Sequence, residues 1–243
     1  MNLPTVNDSQ QPPNNLGEHL KVLRDRLSAD SEKQQLSALS EIEALGEAGI
    51  EVLMAFLSDR QTKPVTVLDG RAYQILHSLN LEATTTFLST TFPTGLVPTP
   101  SERSLDYTPL QNLLVRKQFE DADRLTLQHM CELAGDKAKN RNWLYFSEVN
   151  QFPITDLQTI DQLWQIYSEG KFGFSVQRQI WLTVGRNWDR FWPKIGWRQD
   201  STWTRYPGEF IWDLTAPKGH LPLSNQLRGV RVIEALMKHP AWE

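Results

Sequence analysis

A chain of 243 residues suffices for one large domain or two small ones, and 40% hydrophobic with 22% charged residues is the balance of a soluble globular protein. Its net charge of -4 argues against a nucleic-acid-binding surface, which shows a basic surplus. The single cysteine, Cys131, excludes an internal disulfide, and no run approaches the ~18 apolar residues of a membrane span.

Residues 1–15, MNLPTVNDSQQPPNN, have neither the basic and apolar regions of a signal peptide nor the arginines of a transit peptide. They read as a disordered arm on a cytoplasmic protein. From Leu16 to about Thr91 the periodicity is helical. Leu16, Leu20, Leu23 and Leu27 line one face; Leu36, Leu39, Ile42 and Leu45 line a second helix that Gly46 stops. Val52, Leu53, Phe56 and Leu57 mark a third, residues 65–79 a fourth with Pro64 near its start, and residues 81–92 a fifth. Short helices joined by short loops predict a helical bundle over residues 16–92, without a dependable internal repeat. The acidic surplus lies in this part: residues 1–100 carry 7 Lys and Arg against 12 Asp and Glu, and the rest carry 18 against 17.

The stretch PTGLVPTPSERSLDYTP, residues 93–109, reads as a linker or an extended wrap. A domain boundary is therefore expected near residue 93, with a linker over 93–106 and a second domain over 107–243. This domain holds all nine tryptophans, from Trp143 to Trp242, a density that marks an aromatic core or an aromatic-lined pocket. Helices are predicted over 110–116, 119–133, 157–167 and 175–185. A last one runs over 224–238, with Ser224 as N-cap. WLYFSEV, residues 143–149, is ambiguous. Residues 188–223, rich in Trp, Pro and Gly, read as a long irregular binding loop. The expected fold class is all-α.

Little here demands catalytic chemistry. The five histidines lack ligand spacing, and phosphate-loop and nucleophile-elbow motifs are absent, so no catalytic residue and no metal site are expected. Cys131 sits mid-helix and reads as a small buried hydrophobe. The carboxylate pairs Glu120/Asp123 and Asp156/Asp161 read as solvated helix faces. The string NQLRGVR, residues 225–231, is different. On a helix starting at Ser224, Asn225, Arg228 and Arg231 share a slowly drifting face in the first two turns, where an anion is already favoured. Two guanidinium forks there suit carboxylates or phosphates; the competing reading is internal pairing with Asp213 or Glu234. The preceding aromatic stretches, FWPKIGW and TWTRYPGEFIWDL, favour a flat apolar ligand with acidic tails.

The strings WLYFSEV (143–149), FGFSVQRQIW (172–181), FWPKIGW (191–197) and WDLTAPKGHLPLSNQLRGVR (212–231) resemble the genomes-uncoupled-four family, over about residues 107–242. The likeness is to its cyanobacterial members, which also carry an N-terminal helical bundle. The resemblance implies a non-enzymatic regulator of chlorophyll biosynthesis that binds protoporphyrin IX and magnesium protoporphyrin IX and requires no cofactor. It implies stimulation of magnesium chelatase through the H subunit of that enzyme, and no nucleic-acid partner. A monomeric state and peripheral contact with membranes are expected. By position, Arg228 and Arg231, with Asn225 beside them, would meet the porphyrin's acidic edge, and Phe146 would line a greasy palm. The family's WTRW loop string is WTRY here, so Trp203 matches and Tyr206 supplies the second ring. Phe119, Val176 and Ile211 are placed in the palm because they are apolar and flank matched strings. The alternative is an interaction adaptor that docks a protein partner through its aromatic surface.

Overall fold

The structure is a computed structural model and describes residues 14–29, 31–223 and 230–243. The N-terminal arm expected over residues 1–15 lies almost wholly outside the described residues. Among those described, the fold is all-α, with one two-stranded ribbon. Among the described residues, no helix is long and apolar enough to cross a membrane.

The first part contains α1 (Asn14–Leu27), α2 (Glu32–Ala44), α3 (Ile50–Ser58), α4 (Val67–Leu79) and α5 (Glu82–Thr91), with a 3-10 turn over Gly46–Gly49. The predicted leucine stripes point inward at Leu23, Leu39, Ile42, Leu53, Leu57 and Leu76, which are buried, whereas Leu16, expected on the first stripe, is exposed near the start of α1. A Thr66/Asp69 capping box starts α4, and Arg60 holds the same carboxylate through an ion pair.

The second part follows as α6 (Thr108–Val115), α7 (Phe119–Ala134), α8 (Asp136–Arg141), α9 (Phe146–Val149), α10 (Ile154–Tyr167) and α11 (Phe174–Thr183). Then come α12 (Trp188–Lys194), β1 (Arg198–Gln199), β2 (Thr202–Trp203) and α13 (Arg231–Met237). The WLYFSEV string becomes the single turn α9, closed by the Glu148 carboxylate accepting from the Tyr145 N–H at 2.8 Å. The stretch over 188–223 is less irregular than expected. It holds α12 and an antiparallel ribbon pairing Arg198 with Trp203, both too short to show a period.

The two parts pack directly. Gly70 of α4 lies so close to α10 that a Cβ there would meet the Ile166 carbonyl oxygen at 2.5 Å. Beside it, the Gln74 amide donates to the Leu114 and Tyr167 carbonyls, each at 3.1 Å. The Pro-rich segment after α5 is an extended wrap: Leu96 and Val97 are buried, and the Val97 N–H donates to Gln111 at 2.9 Å.

The carboxylates expected on solvated faces are instead buried at Asp123, Asp156 and Asp161. Each earns its place by binding donors that the fold leaves over. Asp156 accepts from Ser101, the Glu102 N–H and the Tyr107 hydroxyl, fixing the wrap to α10. Asp161 accepts from the Ser175 N–H at 2.9 Å, at the start of α11.

The last helix also differs from expectation. Val230 is a turn residue and α13 begins at Arg231, so no single helix runs from Ser224 to Lys238. The proposed cap at Ser224 lies outside the described residues.

Candidate functional site

The tryptophans first build a core and then come to the surface. Trp181, Trp188, Trp192 and Trp197 follow one another with ring centroids 5.2, 5.1 and 5.7 Å apart. Trp203 is the outer end of this series, edge-on to Trp192 with ring centroids 5.4 Å apart. The ribbon holds it there, with Arg198 opposite it and the Arg198 guanidinium 5.8 Å from its ring. Arg198 is itself anchored to Asp189 at 3.0 Å.

Past Trp203 the chain turns through a loop closed by its own bonds. The Arg205 N–H donates to the Glu209 carboxylate, and the Glu209 N–H returns to the Arg205 carbonyl, both at 2.9 Å. Tyr206 projects from this loop against Phe210 and Trp212, with centroids 6.0 and 5.8 Å away. Beneath the loop sits His220, buried. Its Nδ1 faces the Ile195 carbonyl at 2.7 Å, and its Nε2 receives the Ile211 N–H at 3.2 Å. A carbonyl can only accept, so Nδ1 carries the proton and Nε2 is bare: the ring is neutral. Burial pushes its pKa down, in agreement. The next stretch is sewn to α11 by the Gln177 amide, which donates to the Gly219 and Pro222 carbonyls at 3.0 and 2.8 Å.

A second group forms where α9 meets α13. Phe146 and Arg231 come together there, with the guanidinium 5.6 Å from the ring centroid. Glu234 pairs with Lys238 at 2.6 Å and Asp213 bonds Thr215, so neither of the acids proposed as internal partners takes Arg231. Among the described residues Arg231 has no carboxylate partner. Arg141 continues the pattern, its guanidinium 4.5 Å from the Trp143 ring and 4.4 Å from Tyr145.

The candidate residues thus divide by exposure. Phe146, Trp203, Tyr206 and Ile211 are 41, 45, 40 and 41% exposed, high values for rings and aliphatics in a folded domain. Phe119 is different: it is core, stacked on Trp164 at 6.0 Å and edge-on to Phe172 at 5.5 Å. Apolar character and a matched neighbour were a weak warrant, since the inward face of α7 offers the same pattern. Val176 is also buried, outside the main core cluster. Asn225 and Arg228 lie outside the described residues. Among those described, no ring contact joins Phe146 to Trp203 or Tyr206.

Some residues at this site carried no motif. Asp123, one turn after Phe119, accepts the Leu223 N–H at 2.6 Å from inside. A carboxylate on the apolar face of an amphipathic helix was the available signal. Cys131 is buried, and burial pushes its thiol up to about 11, which suits the inert reading. No group of potential metal ligands occurs among the described residues.

Two family models match the chain. One described as GUN4-like covers residues 100–240, and one described as an ARM-like repeat domain, GUN4-N terminal, covers residues 10–93. The repeat character of the first part escaped the sequence, because its helices share a spacing of apolar residues rather than their identity. A Ycf53-like protein of Synechocystis sp. is 48% identical over 229 residues, 93% of this chain and 98% of that one. A chloroplastic protein of Arabidopsis thaliana named as tetrapyrrole-binding is 38% identical over 150 residues, 58% of this chain and 57% of that one. Among solved structures, GUN4 from Chlamydomonas reinhardtii aligns with a TM-score of 0.57 at 42% identity, covering 60% of this chain and 96% of that one.

Proposed function

The chain belongs to the GUN4-like family, and from that premise we propose that it binds a tetrapyrrole without transforming it. The carrying observation is Arg231, an exposed guanidinium with no carboxylate partner among the described residues, held over the exposed ring of Phe146. A porphyrin presents a large apolar face and two propionates along one edge. Phe146, Trp203, Tyr206 and Ile211 offer surface to the face; Arg231, with Arg228 and Asn225 nearby in sequence, offers charge to the edge. The name of the Arabidopsis relative supports the same ligand class.

The finer reading is protoporphyrin IX and magnesium protoporphyrin IX as ligands, and stimulation of magnesium chelatase through its H subunit. We place the protein in the cytoplasm, as a monomer with peripheral membrane contact. The domain division proposed is a bundle over 16–92, a linker over 93–106 and a porphyrin-binding domain over 107–243.

The test is a titration with deuteroporphyrin IX, read by tryptophan quenching, beside a chelatase assay with and without the protein. Saturable quenching together with a faster chelatase supports the whole reading. Quenching without stimulation leaves a tetrapyrrole binder with another role. A chain that binds the H subunit but no porphyrin is the adaptor instead.

A further inference from the structure

Where α4 of the first part meets the end of α6 of the second lies a cavity of about 240 Å³. Helix α4 lines it with Arg71, Gln74, His77 and Ser78, and the end of α6 adds Val115, Arg116 and Lys117. The one carboxylate on its wall, Glu43, is committed to Arg71 in an ion pair. Arg71 takes a second acid, Glu169, at 3.4 Å. Among the described residues, Arg116 and Lys117 have no carboxylate partner. Two cations without a counter-charge therefore share one small cavity with a histidine. The wall that carries them is fixed. The Gln74 amide ties α4 to the Leu114 carbonyl at 3.1 Å, and Arg71 is locked by its two acids.

The backbone at Lys117 is an independent sign. The Lys117 N–H donates to the Leu114 carbonyl at 3.0 Å, and the Gln118 N–H to the Leu113 carbonyl at 2.9 Å. These paired bonds close α6 with a cap whose turning residue is left-handed. That residue is Lys117, at φ 56°. Glycine or asparagine is the usual occupant, because a Cβ crowds the backbone there. A cation near the last carbonyls of a helix is favourable, but Arg116 already supplies one. The cap by itself thus accounts neither for a lysine in a glycine's seat nor for two cations side by side. Burial and the Arg71 charge push the Lys117 ammonium down, against the pull of Glu43 and Glu169. That is the condition of a cation still short of an anion.

We propose that this cavity is a binding site for the phosphate group of a small phosphorylated polyol, held by Arg116 and Lys117 between the two helical parts. A guanidinium fork and an ammonium are the side chains best suited to phosphate oxygens, and the His77 imidazole on the same wall offers a further donor. At about 240 Å³ the cavity is smaller than the ~300–1,000 Å³ of pockets for drug-sized ligands, so the phosphate carries a small substituent at most. His77 also lines a neighbouring cavity of about 340 Å³, with Asn80, Thr85, Ser89 and Asn112 on its wall. A substituent running that way meets hydroxyls and amides, which select a polyol over an apolar chain. None of these residues belongs to the group at Phe146, Trp203 and Arg231, and the inference does not rest on the tetrapyrrole reading.

Calorimetric titration of the full chain with inorganic phosphate, and separately with glycerol phosphate, tests the site in the wild type and in Lys117→Gly, Lys117→Arg and Arg116→Gln. Lys117→Gly keeps the left-handed turn with the residue that suits it best, so it removes the charge and spares the fold. The wild type should bind saturably. Lys117→Gly and Arg116→Gln should each weaken binding about tenfold or more, the loss expected for a hydrogen bond to a charged group. Lys117→Arg keeps the charge and should restore most of the affinity. Tighter binding of glycerol phosphate than of phosphate supports the polyol; equal binding overturns it and leaves a site for the phosphate group alone. No saturable binding of either ligand, or constants that the variants leave unchanged, overturns the site altogether.

Discussion

The guanidinium of Arg231 stands 5.6 Å from the centre of the Phe146 ring, at the first residue of α13 and the first residue of α9. Each lends the other an orientation that neither has alone: the ring fixes a long flexible side chain, and the cation marks one edge of an exposed apolar face. If Arg231 meets a propionate as proposed, replacing it with Ala should weaken deuteroporphyrin binding by ~1.5–3 kcal/mol, about ten- to a hundredfold. Arg231→Lys keeps the charge but loses the planar fork, and should fall between. Quenching titrations of the three proteins decide the matter; equal constants would mean that the arginine serves something other than the ligand.

Gly70 predicts how the two helical parts depend on each other. A methyl at this position meets the Ile166 carbonyl oxygen at 2.5 Å and the Ile166 side chain at 2.6 Å, so α4 and α10 must separate. Overpacking of this kind costs about 1–3 kcal/mol, despite the better helix propensity of alanine. Thermal melts of Gly70→Ala should show a lowered midpoint. A rise would show that the helices part without penalty.

His220 should make the protein acid-sensitive. Its folded pKa lies below the ordinary 6.5, because burial disfavours the imidazolium and both ring nitrogens are committed to a neutral tautomer. The unfolded chain therefore takes up the proton first. The contribution of this residue is fully present above pH 6.5 and is lost as the pH falls below it, with a slope of at most ~1.4 kcal/mol per pH unit. His220→Gln should be less stable than wild type at pH 8, and the gap should narrow toward pH 5. Urea melts across that range measure it, and a constant gap would contradict the neutral assignment.

Asp123 carries the opposite sign. Its carboxyl titrates at about 7 in the fold and near 3.8 when exposed. Its stabilising contribution is full below pH 3.8 and is lost as the pH rises to about 7, again by at most ~1.4 kcal/mol per unit. Wild type should therefore gain on Asp123→Asn between pH 7 and pH 5 in calorimetry. A difference that does not move with pH would mean that the group is ionised throughout.

Much of this protein follows from local sequence. The leucine stripes of α1 to α4 and the apolar face of α7 repeat at the helical period, and burial of one face is what a helix of that pattern must do. The resemblance of residues 107–242 pointed to Phe146, Trp203, Tyr206 and Arg231, and their chemistry alone suggested a flat anionic ligand. What sequence could not decide is which apolar side chains face water. Phe119 and Phe146 read alike as phenylalanines near matched strings, yet one is wedged beneath Trp164 and the other lies open beside Arg231. That difference arises from neighbours distant along the chain. The same holds for Asp123: its helix makes it look like one member of a solvated acidic pair, whereas it is buried and holds the N–H of Leu223, a hundred residues away. Periodicity reports the face a residue shares with its own helix, and only the packing of other segments against that face settles whether it is core, site or surface.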